Sequence, residues 1–336
     1  MKAPDRVLLA HGGGGSLSGR LIREVFLSAF DNPALARLTD SAIVSLGSQS
    51  LAFTTDAYVV TPPFFPGGNI GTLAVAGTVN DLAVSGAVPR FLSCSFILEE
   101  GLLLDDLRRV VASMADTAAE AGVILATGDT KVVERGGADG IFITTAGIGE
   151  LRDLPEGWLQ PRPGDQVLIN GSVGDHGLTV LAAREGLRFD NPLRSDCAPL
   201  NGLIEHLFAA GLRLRWMRDA TRGGLAAVLN ELADGHTWGV AVRAESVPVS
   251  PAARSLGEIL GIDPLYVANE GKVVVVVAED DARAALEVMR AHPLGRDAAA
   301  IGSLEEGLDG LVTVETYLGG RRILDMPLGE QLPRIC

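Results

Sequence analysis

Apolar and polar positions alternate between strand-like and helix-like patterns along most of the chain. Short β-rich apolar runs predict strands, and apolar residues spaced three or four apart predict helices. The first half predicts strands at 42–46, 51–60, 91–98, 123–126 and 140–146, and helices at 17–30, 70–86 and 104–122. The second half predicts strands at 166–170, 212–217, 239–243, 273–278, 299–301 and 311–316, and helices at 177–185, 200–210, 224–233, 251–260 and 281–291. Strands that alternate with helices in this way predict an α/β fold.

The same pattern divides the chain into domains. A length of 336 residues corresponds to about two domains, and Pro155, Pro161 and Pro163 mark the best candidate linker. We therefore predict four parts, which are a glycine loop and helix over 1–41, an N-terminal α/β domain over 42–154, a C-terminal α/β domain over 155–320 and a mobile tail over 321–336.

Composition and charge argue against several classes of partner. The chain has 28 basic and 42 acidic side chains, which gives a net charge of −14. This charge repels nucleic acids and anionic membrane surfaces, so an anionic substrate such as a nucleotide would need a divalent cation beside it. No signal-peptide pattern stands near the N-terminus, and the longest β-rich apolar run, 273–278, is too short to span a membrane. We expect a cytoplasmic protein.

Four aspartates stand within or at the ends of predicted elements. They are Asp56 in an apolar strand, Asp81 within a helix of small residues, Asp129 in a polar turn between two strands, and Asp219 after a strand. A carboxylate in an apolar setting has to be paired, hydrogen-bonded or bound to a metal. Each aspartate taken alone is better explained as a cap or a turn residue. Four such sites together, beside glycines and Lys131, favour a nucleotide site with Mg²⁺.

A run of four glycines, Gly12, Gly13, Gly14 and Gly15, precedes the first predicted helix. The run is neither a Walker A motif nor a G-x-G-x-x-G fingerprint. The backbone N–H groups of such a run can approach phosphate groups. A flexible linker is the simpler interpretation of the glycines by themselves.

Two further residues each have two interpretations. Glu270 stands just before the apolar strand at 273–278 and is either a turn residue or a general base held by a rigid strand. His176 either binds phosphate or begins a helix. The residues alone leave both alternatives open.

The chain ends in an apolar, proline-stiffened segment whose last residue is Cys336. A terminal residue usually has no role, but a disordered end is expected to be polar. The 12 residues from Asp325 to Cys336 reach up to ~40 Å when extended, so a thiol on this arm can visit two sites. The three cysteines are far apart and lack C-x-x-C spacing, which argues against a disulfide framework or a zinc site. The terminal pattern is compatible with a carrier thiol.

A set of short motifs follows in order along nearly the whole chain. They are the glycine loop after His11, Pro63-Phe-Phe-Pro-Gly-Gly68, Gly77-Thr-Val-Asn-Asp-Leu-Ala83, Gly128-Asp-Thr-Lys-Val-Val133, Gly174-Asp-His-Gly177, Met217-Arg-Asp-Ala-Thr-Arg-Gly-Gly224, Asn269-Glu-Gly271 and the terminal Pro333-Arg-Ile-Cys336. The ordered set resembles the family of the hydrogenase-maturation carbamoyl dehydratase HypE. That family belongs to the superfamily of aminoimidazole ribonucleotide synthetase (PurM), selenophosphate synthetase and thiamine monophosphate kinase.

The resemblance implies a two-domain PurM-like α/β fold in which the domain at 42–154 binds nucleotide and dimerises. It implies that a carbamoyl group on Cys336 is dehydrated with ATP to a thiocyanate, which supplies the cyanide ligand for the iron of [NiFe] hydrogenase. The partners it implies are the carbamoyltransferase HypF as donor, the HypC–HypD scaffold complex as acceptor, and a second copy in a homodimer.

The resemblance also assigns roles to site residues. The Mg²⁺ ligands it implies are Asp56, Asp81 and Asp219. The residues expected around ATP are the four loop glycines, Asn80, Asp81, Asp129, Thr130 and His176. The residues expected to take part in the reaction are Cys336 as the carrier thiol, Glu270 as the proton acceptor and Lys131 as the group that stabilises developing charge.

Two other functions remain open on the sequence. The first is another ATP-dependent small-molecule kinase of the same superfamily, such as selenophosphate synthetase, which would need no C-terminal thiol. The second is a non-enzymatic scaffold that binds nucleotide and uses its tail only to dock.

Overall fold

Two β-sheets, each with helices packed against it, make up the protein. The computed structural model describes residues 6–30, 32–187, 193–316, 319–329, 332 and 334–336. The first sheet contains β1 (Ala42–Leu46), β2 (Gln49–Tyr58), β5 (Ala87–Glu99), β6 (Ile124–Val133) and β7 (Ile141–Leu151), and a separate hairpin contains β3 (Phe64–Phe65) and β4 (Gly68–Asn69). The helices of this half are α1 (Ser16–Leu21), a π-helical stretch (Ile22–Leu27), α2 (Ser28–Phe30), α3 (Ile70–Val84) and α4 (Leu104–Ala121).

Within the residues that the structure describes, the C-terminal half has a larger sheet and five α-helices. Its strands are β8 (Gln166–Ile169), β9 (Leu214–Asp219), β10 (Trp238–Arg243), β11 (Val273–Val277), β12 (Ala299–Glu306), β13 (Val312–Glu315) and β14 (Arg321–Ile323). Its helices are α5 (Asp175–Arg184), α6 (Asn201–Ala209), α7 (Gly224–Ala233), α8 (Pro251–Leu260) and α9 (Ala282–Ala291). The predicted alternation of strands and helices is confirmed.

Both sheets are mixed and mostly antiparallel. The strand orders are β1-β2-β7-β5-β6 and β14-β13-β10-β12-β8-β11-β9. Among the strands that the structure describes, only β5 with β6 and β10 with β13 run parallel. Strand β11 consists of five fully buried valines between β8 and β9, which suits β-branched side chains in the middle of a covered sheet.

Helix α3 joins the two halves of the protein. It contacts three strands of the first sheet as well as α6 and β9 of the second half. Every residue in it is buried except Thr72 and Asp81, which explains its small, apolar composition, because neighbours approach it on all sides. The Asn69 side chain caps its start by accepting the Gly71 N–H at 2.8 Å, as an N-cap asparagine does.

The first sheet leaves one face uncovered in the described chain. The exposed side chains Phe53, Ile148, Phe91 and Ile124 stand side by side across β2, β7, β5 and β6, because Phe53 and Phe91 both pair with Ile148 and Phe91 also pairs with Ile124. A continuous exposed apolar row of this kind marks an interaction surface. We call these four side chains the apolar row.

Two sequence predictions differ from the structure. The polar turn predicted around Asp129 is part of β6, which continues in register with β5 as far as Val133. The segment 321–323, predicted as the start of a mobile tail, is the edge strand β14 and pairs with β13. The pairing of β6 with β5 joins segments distant in sequence and leaves no local periodicity. Strand β14 pairs with the nearby β13, but its three residues are all exposed and show no alternation of buried and exposed positions.

Replacement of Asn170 by alanine is expected to destabilise the C-terminal half. The buried amide donates to the carbonyls of Gly271 and Leu294 and accepts from Val273 N–H, at 2.8–3.0 Å. Its loss leaves these buried groups unsatisfied, at a cost of about 3 kcal/mol. In thermal unfolding, the melting temperature should be clearly lower for Asn170→Ala than for the parent, and it should be unchanged for the exposed control Gln160→Ala. Equal melting temperatures would contradict this account.

Candidate active site

A small cavity of about 50 Å³ lies where the first sheet, α3 and the C-terminal half meet. The residues that line it are Asp56, Ala57, Tyr58, Gly77, Asp81, Asp219, Thr221, Arg222, Glu270 and Cys336. Five of the residues singled out in the sequence therefore share one cavity, although up to 280 positions separate them in the chain. The C-terminal residue of the chain forms part of the wall.

Regular elements hold the acidic side chains of this cavity. Asp56 lies on β2, Asp81 on α3 and Asp219 at the end of β9, where it pairs with Val273 of β11. Gly77 of α3 faces Tyr58, whose hydroxyl occupies the space that any side chain at position 77 would need. The motif glycine thus lets β2 and α3 approach closely enough to form the cavity.

Three carboxylates form a cluster suited to a divalent cation. One ligand oxygen each of Asp40, Asp81 and Asp219 lies within 4.8 Å of the other two. Asp219 Oδ2 is buried and has no hydrogen-bond partner among the described residues. An all-oxygen set of carboxylates is the chemistry that Mg²⁺ prefers, and the orphaned oxygen is explained by a cation. The residues present therefore fit Mg²⁺.

The cluster differs in one member from the predicted metal set. Asp56, predicted as a ligand, lines the same cavity but accepts a hydrogen bond from Thr78 at 2.8 Å. Asp40, which the sequence reasoning missed, takes its place and is held by Arg218 at 2.7 Å. Asp40 lies two residues before the predicted strand 42–46, so its place near the end of an element could have singled it out, as it did Asp219.

Burial governs the electrostatics of the cavity. It raises the pKa of Asp81 well above its usual value, and the neighbouring Asp56 and Asp219 raise it further. Burial followed by Asp40 does the same to the pKa of Asp219. Glu270 is 3% exposed, and burial followed by Asp219 raises its pKa well above the usual range. A carboxylate with a raised pKa is a stronger base and can accept a proton from a reacting group near neutral pH.

The C-terminus is docked into the body of the protein. Ile335 is buried in the core of the N-terminal half, and the Cys336 side chain packs against the same cluster. The Val59 N–H donates to the terminal carboxylate of Cys336 at 3.2 Å, and the Thr61 N–H donates to the Arg334 carbonyl at 3.1 Å. The Arg334 backbone has a φ of +61°, a conformation that a residue with a side chain keeps only where its surroundings hold it. The predicted tail is therefore anchored at its tip.

The glycine loop supports the beginning of the same tail. Ser16 N–H donates to the Pro327 carbonyl at 3.0 Å, and a side chain at Gly15 would collide with that carbonyl. Gly14, at a φ of +73°, lies against Arg222, which also donates to the Gly12 carbonyl at 3.2 Å. The loop glycines thus allow close approach of the tail in this conformation.

Two residues expected at the nucleotide bind backbone instead. The Asn80 amide accepts from Leu200 N–H at 2.7 Å and donates to the Ala198 carbonyl at 3.2 Å. His176, fully buried, contacts the Ile335 carbonyl through Nε2 at 3.0 Å. In this conformation Asn80 ties α3 to the C-terminal half, and His176 touches the tail.

The predicted residues of β6 stand apart from this cavity. Asp129 and Lys131 have exposed side chains that pair at 3.3 Å, and the Thr130 N–H bonds Asp129 at 2.8 Å and lowers its pKa. None of the three lines the cavity. They project from an edge strand of the sheet that carries the apolar row.

Both halves match known domain families. Residues 38–151 match the family model of the AIR synthase related protein, N-terminal domain, and residues 162–315 match that of its C-terminal domain. The fold and the site therefore define a two-domain AIR synthase related protein with an acidic cavity that its own C-terminus enters. Among the described residues, no helix is both long and apolar enough to cross a membrane.

Individual relatives narrow this class. The carbamoyl dehydratase HypE of Rhizobium leguminosarum bv. viciae is 52% identical over 336 residues, 99% of this chain and 96% of the relative. A crystal structure of a HypE–HypF complex has a TM-score of 0.85 at 50% identity and covers 91% of this chain and 99% of that one. A crystal structure of HypE in complex with ATP has a TM-score of 0.81 at 51% identity, with coverages of 98% and 100%. The chain belongs to the carbamoyl dehydratase HypE family, which confirms the resemblance and the PurM-like fold.

Replacement of Asp219 by asparagine is expected to weaken Mg²⁺ binding, because it removes one of the three charged ligands. We expect the affinity to fall about tenfold, or roughly 1.4 kcal/mol, in isothermal titration with MgCl₂ alone. Without the cation, the variant should melt at a higher temperature, because the change relieves repulsion between buried carboxylates. The exposed Asp234→Asn serves as the control. Unchanged Mg²⁺ affinity in Asp219→Asn would contradict the assignment of Asp219 as a ligand of the cation.

Burial of His176 predicts a pH-dependent stability. Burial lowers its pKa from the ordinary 6.5, so in acid the unfolded chain takes up a proton that the folded protein does not. The stabilisation from the neutral imidazole is present above pH 6.5 and is lost as the pH falls below it. The melting temperature of the parent should therefore fall relative to His176→Gln between about pH 7.5 and pH 5.5. If the difference in melting temperature between the parent and His176→Gln stays constant over this pH range, the imidazole of His176 is not held neutral by burial.

Proposed function

We propose that this protein dehydrates an S-carbamoyl group on Cys336 to a thiocyanate at the expense of ATP. The product supplies the cyanide ligand for the iron of [NiFe] hydrogenase. One observation carries the proposal, namely that Cys336 lines the same cavity as Glu270 and the acidic residues. Membership of the carbamoyl dehydratase HypE family supports the same reaction.

The chemistry explains why ATP is consumed. The oxygen of an amide is a poor leaving group, so it first attacks the γ-phosphorus of ATP while the bond from that phosphorus to ADP breaks. One N–H proton is lost as the imidate-like phosphate ester forms. Loss of the second N–H proton then expels phosphate and leaves Cys–S–C≡N. Transfer of a phosphoryl group depends chiefly on positioning and charge neutralisation.

Glu270 and Lys131 have separate roles in this reaction. Glu270 accepts an N–H proton of the carbamoyl group. Its burial raises its pKa, which makes its carboxylate a stronger base for this step. Lys131 stabilises the charge that develops on the transferred phosphoryl group. It is exposed on the edge strand β6, in the sheet whose apolar row calls for a covering partner.

The nucleotide and its cation are held mainly by carboxylates and backbone groups. Asp40, Asp81 and Asp219 would hold Mg²⁺, with Asp56 beside them. Bound there, Mg²⁺ would neutralise phosphate charge next to a strongly acidic cavity. The nucleotide phosphates would reach the glycine loop from Gly12 to Gly15, with Asp129, Thr130 and Asn80 as the further predicted contacts. His176, also predicted there, is buried and contacts the tail in this conformation.

The proposed partners follow from the reaction. A HypF carbamoyltransferase would load Cys336, in keeping with the HypE–HypF complex of a similar structure. A HypC–HypD scaffold would accept the cyanide in the cytoplasm. The apolar row, Phe53, Ile148, Phe91 and Ile124, would pair two copies into a homodimer. A free small-molecule kinase or a simple scaffold explains neither the thiol in the cavity nor the base beside it.

The reaction is tested by mass spectrometry of the C-terminal peptide. Incubation with the carbamoyltransferase, carbamoyl phosphate and ATP should add one carbamoyl group to Cys336. Further incubation with MgATP should remove one water from that peptide and release phosphate. Cys336→Ser should block both changes. ATP turnover that proceeds equally well without Cys336 would rule out the proposal in favour of a free small-molecule substrate.

Glu270→Gln is expected to accept the carbamoyl group normally but to lose water about 10²- to 10⁴-fold more slowly, the usual effect of removing a general base. The rate is read from single-turnover conversion of the loaded C-terminal peptide. Glu258→Gln, an exposed change in the same half of the chain, is the matched control. Parental rates in Glu270→Gln would remove Glu270 from the mechanism.

A further inference from the structure

Each of the last three residues of the chain accepts a hydrogen bond through its backbone oxygen, which is a carboxylate oxygen at Cys336 and a carbonyl oxygen at Arg334 and Ile335. Val59 and Thr61, which follow β2, donate to Cys336 and Arg334. The carbonyl between them, that of Ile335, instead lies 3.0 Å from Nε2 of His176 on α5. Ile335 is 2% exposed, so its carbonyl cannot turn to solvent if this donor is lost. His176 thus contacts the backbone directly before the reacting residue.

A chain of hydrogen bonds fixes which nitrogen of His176 carries the proton. The Cys197 N–H donates to Ser195 Oγ at 3.1 Å, and Ser195 Oγ lies 2.8 Å from Nδ1 of His176. The Ile335 carbonyl can only accept, so Nε2 carries the hydrogen and Nδ1 accepts from the Ser195 hydroxyl. The edge-on ring of Phe65, 5.4 Å away, restricts the imidazole further. A buried neutral imidazole with both nitrogens satisfied makes a rigid donor.

We propose that His176 is a positioning residue that holds the inserted tail by its backbone and thereby places the Cys336 sulfur in the cavity. This role rests on the proposed function and adds to it. Because the bond is to a carbonyl group of the backbone, it is the same for a free thiol, a carbamoyl thioester and a thiocyanate. His176 therefore retains the tail through the whole reaction without touching the group that reacts.

The bond from His176 is neutral, whereas the neighbouring Arg334 carbonyl accepts a charge-assisted hydrogen bond from Arg184 at 2.6 Å. An uncharged hydrogen bond contributes modestly to stability, whereas an ion pair buried at this position would bind the tail more rigidly or leave a buried charge when broken. Ser195 keeps the imidazole neutral and correctly oriented when the tail is absent. The site is then ready to accept the Ile335 carbonyl again.

Alkylation of Cys336 tests the docking directly. Parent protein, His176→Leu and His176→Gln are treated with iodoacetamide, and alkylation of the C-terminal peptide is followed by mass spectrometry. The rate of alkylation in denaturant gives the value for an unprotected Cys336. Leucine cannot donate and should raise the alkylation rate about fivefold to tenfold. Glutamine places an N–H donor near the Nε2 position and should stay within about twofold of the parent. The exposed His206→Leu is the matched control, and buried Cys94, which lies outside this chain of hydrogen bonds, serves as the internal reference.

Kinetics separate positioning from a general loss of structure. His176→Leu should slow dehydration of the loaded thiol by a similar factor, while loading by the carbamoyltransferase stays at least as fast as in the parent. Equal alkylation of Cys336 in the parent and in His176→Leu would overturn the proposal. Parallel acceleration of alkylation at Cys94, or no rescue by glutamine, would overturn it as well. The alkylation result is independent of turnover, so a parent that protects Cys336 but dehydrates nothing would refute the proposed function alone.

Discussion

The burial of like charges around one small cavity is the constraint on which the rest of this structure depends. Asp81, Asp219 and Glu270 have lost most of their contact with water, and the pKa of each is raised by burial first and by neighbouring carboxylates second. Such crowding opposes folding unless a ligand compensates for it. A divalent cation between Asp40, Asp81 and Asp219 would provide that compensation.

Helix α3 is what brings the opposing halves to this point. It carries Asp81 towards Asp219 of the C-terminal half, and Asn80 ties it to the segment that precedes α6. Its small side chains are therefore a packing requirement, because a larger residue at Gly77 would push Tyr58 and β2 away. The acidic cavity, the metal cluster and the docked C-terminus share this one helix as a wall or neighbour.

The tail has to be long enough to carry Cys336 to another enzyme, and its tip also has to hold the sulfur in one position in the cavity. A reactant carried on a long arm can visit another enzyme, but freedom of the arm lowers the fraction of time that the sulfur spends in the cavity. Backbone hydrogen bonds from Val59, Thr61 and His176, together with burial of Ile335, restore accuracy at the tip. The glycine loop supports the other end. The three hydrogen bonds at the tip are made to backbone oxygens, so none of them depends on the chemical state of the sulfur.

The sequence by itself determined the alternation of strands and helices, because burial patterns with periods of 2 and 3.6 are local. The helices at 224–233 and 251–260 have the predicted bounds. It also singled out Asp56, Asp81, Asp219, Glu270 and Cys336, since polar or reactive groups in apolar surroundings are conspicuous.

Only the tertiary structure decided how these residues are arranged. Asp40 replaces Asp56 in the closest carboxylate cluster, β6 extends to Val133 through its pairing with β5, and His176 contacts the tail across 159 residues of chain. Such relations depend on distances between segments remote in sequence. No local period or propensity encodes them, and the packing of α3 between the two sheets is what sets them.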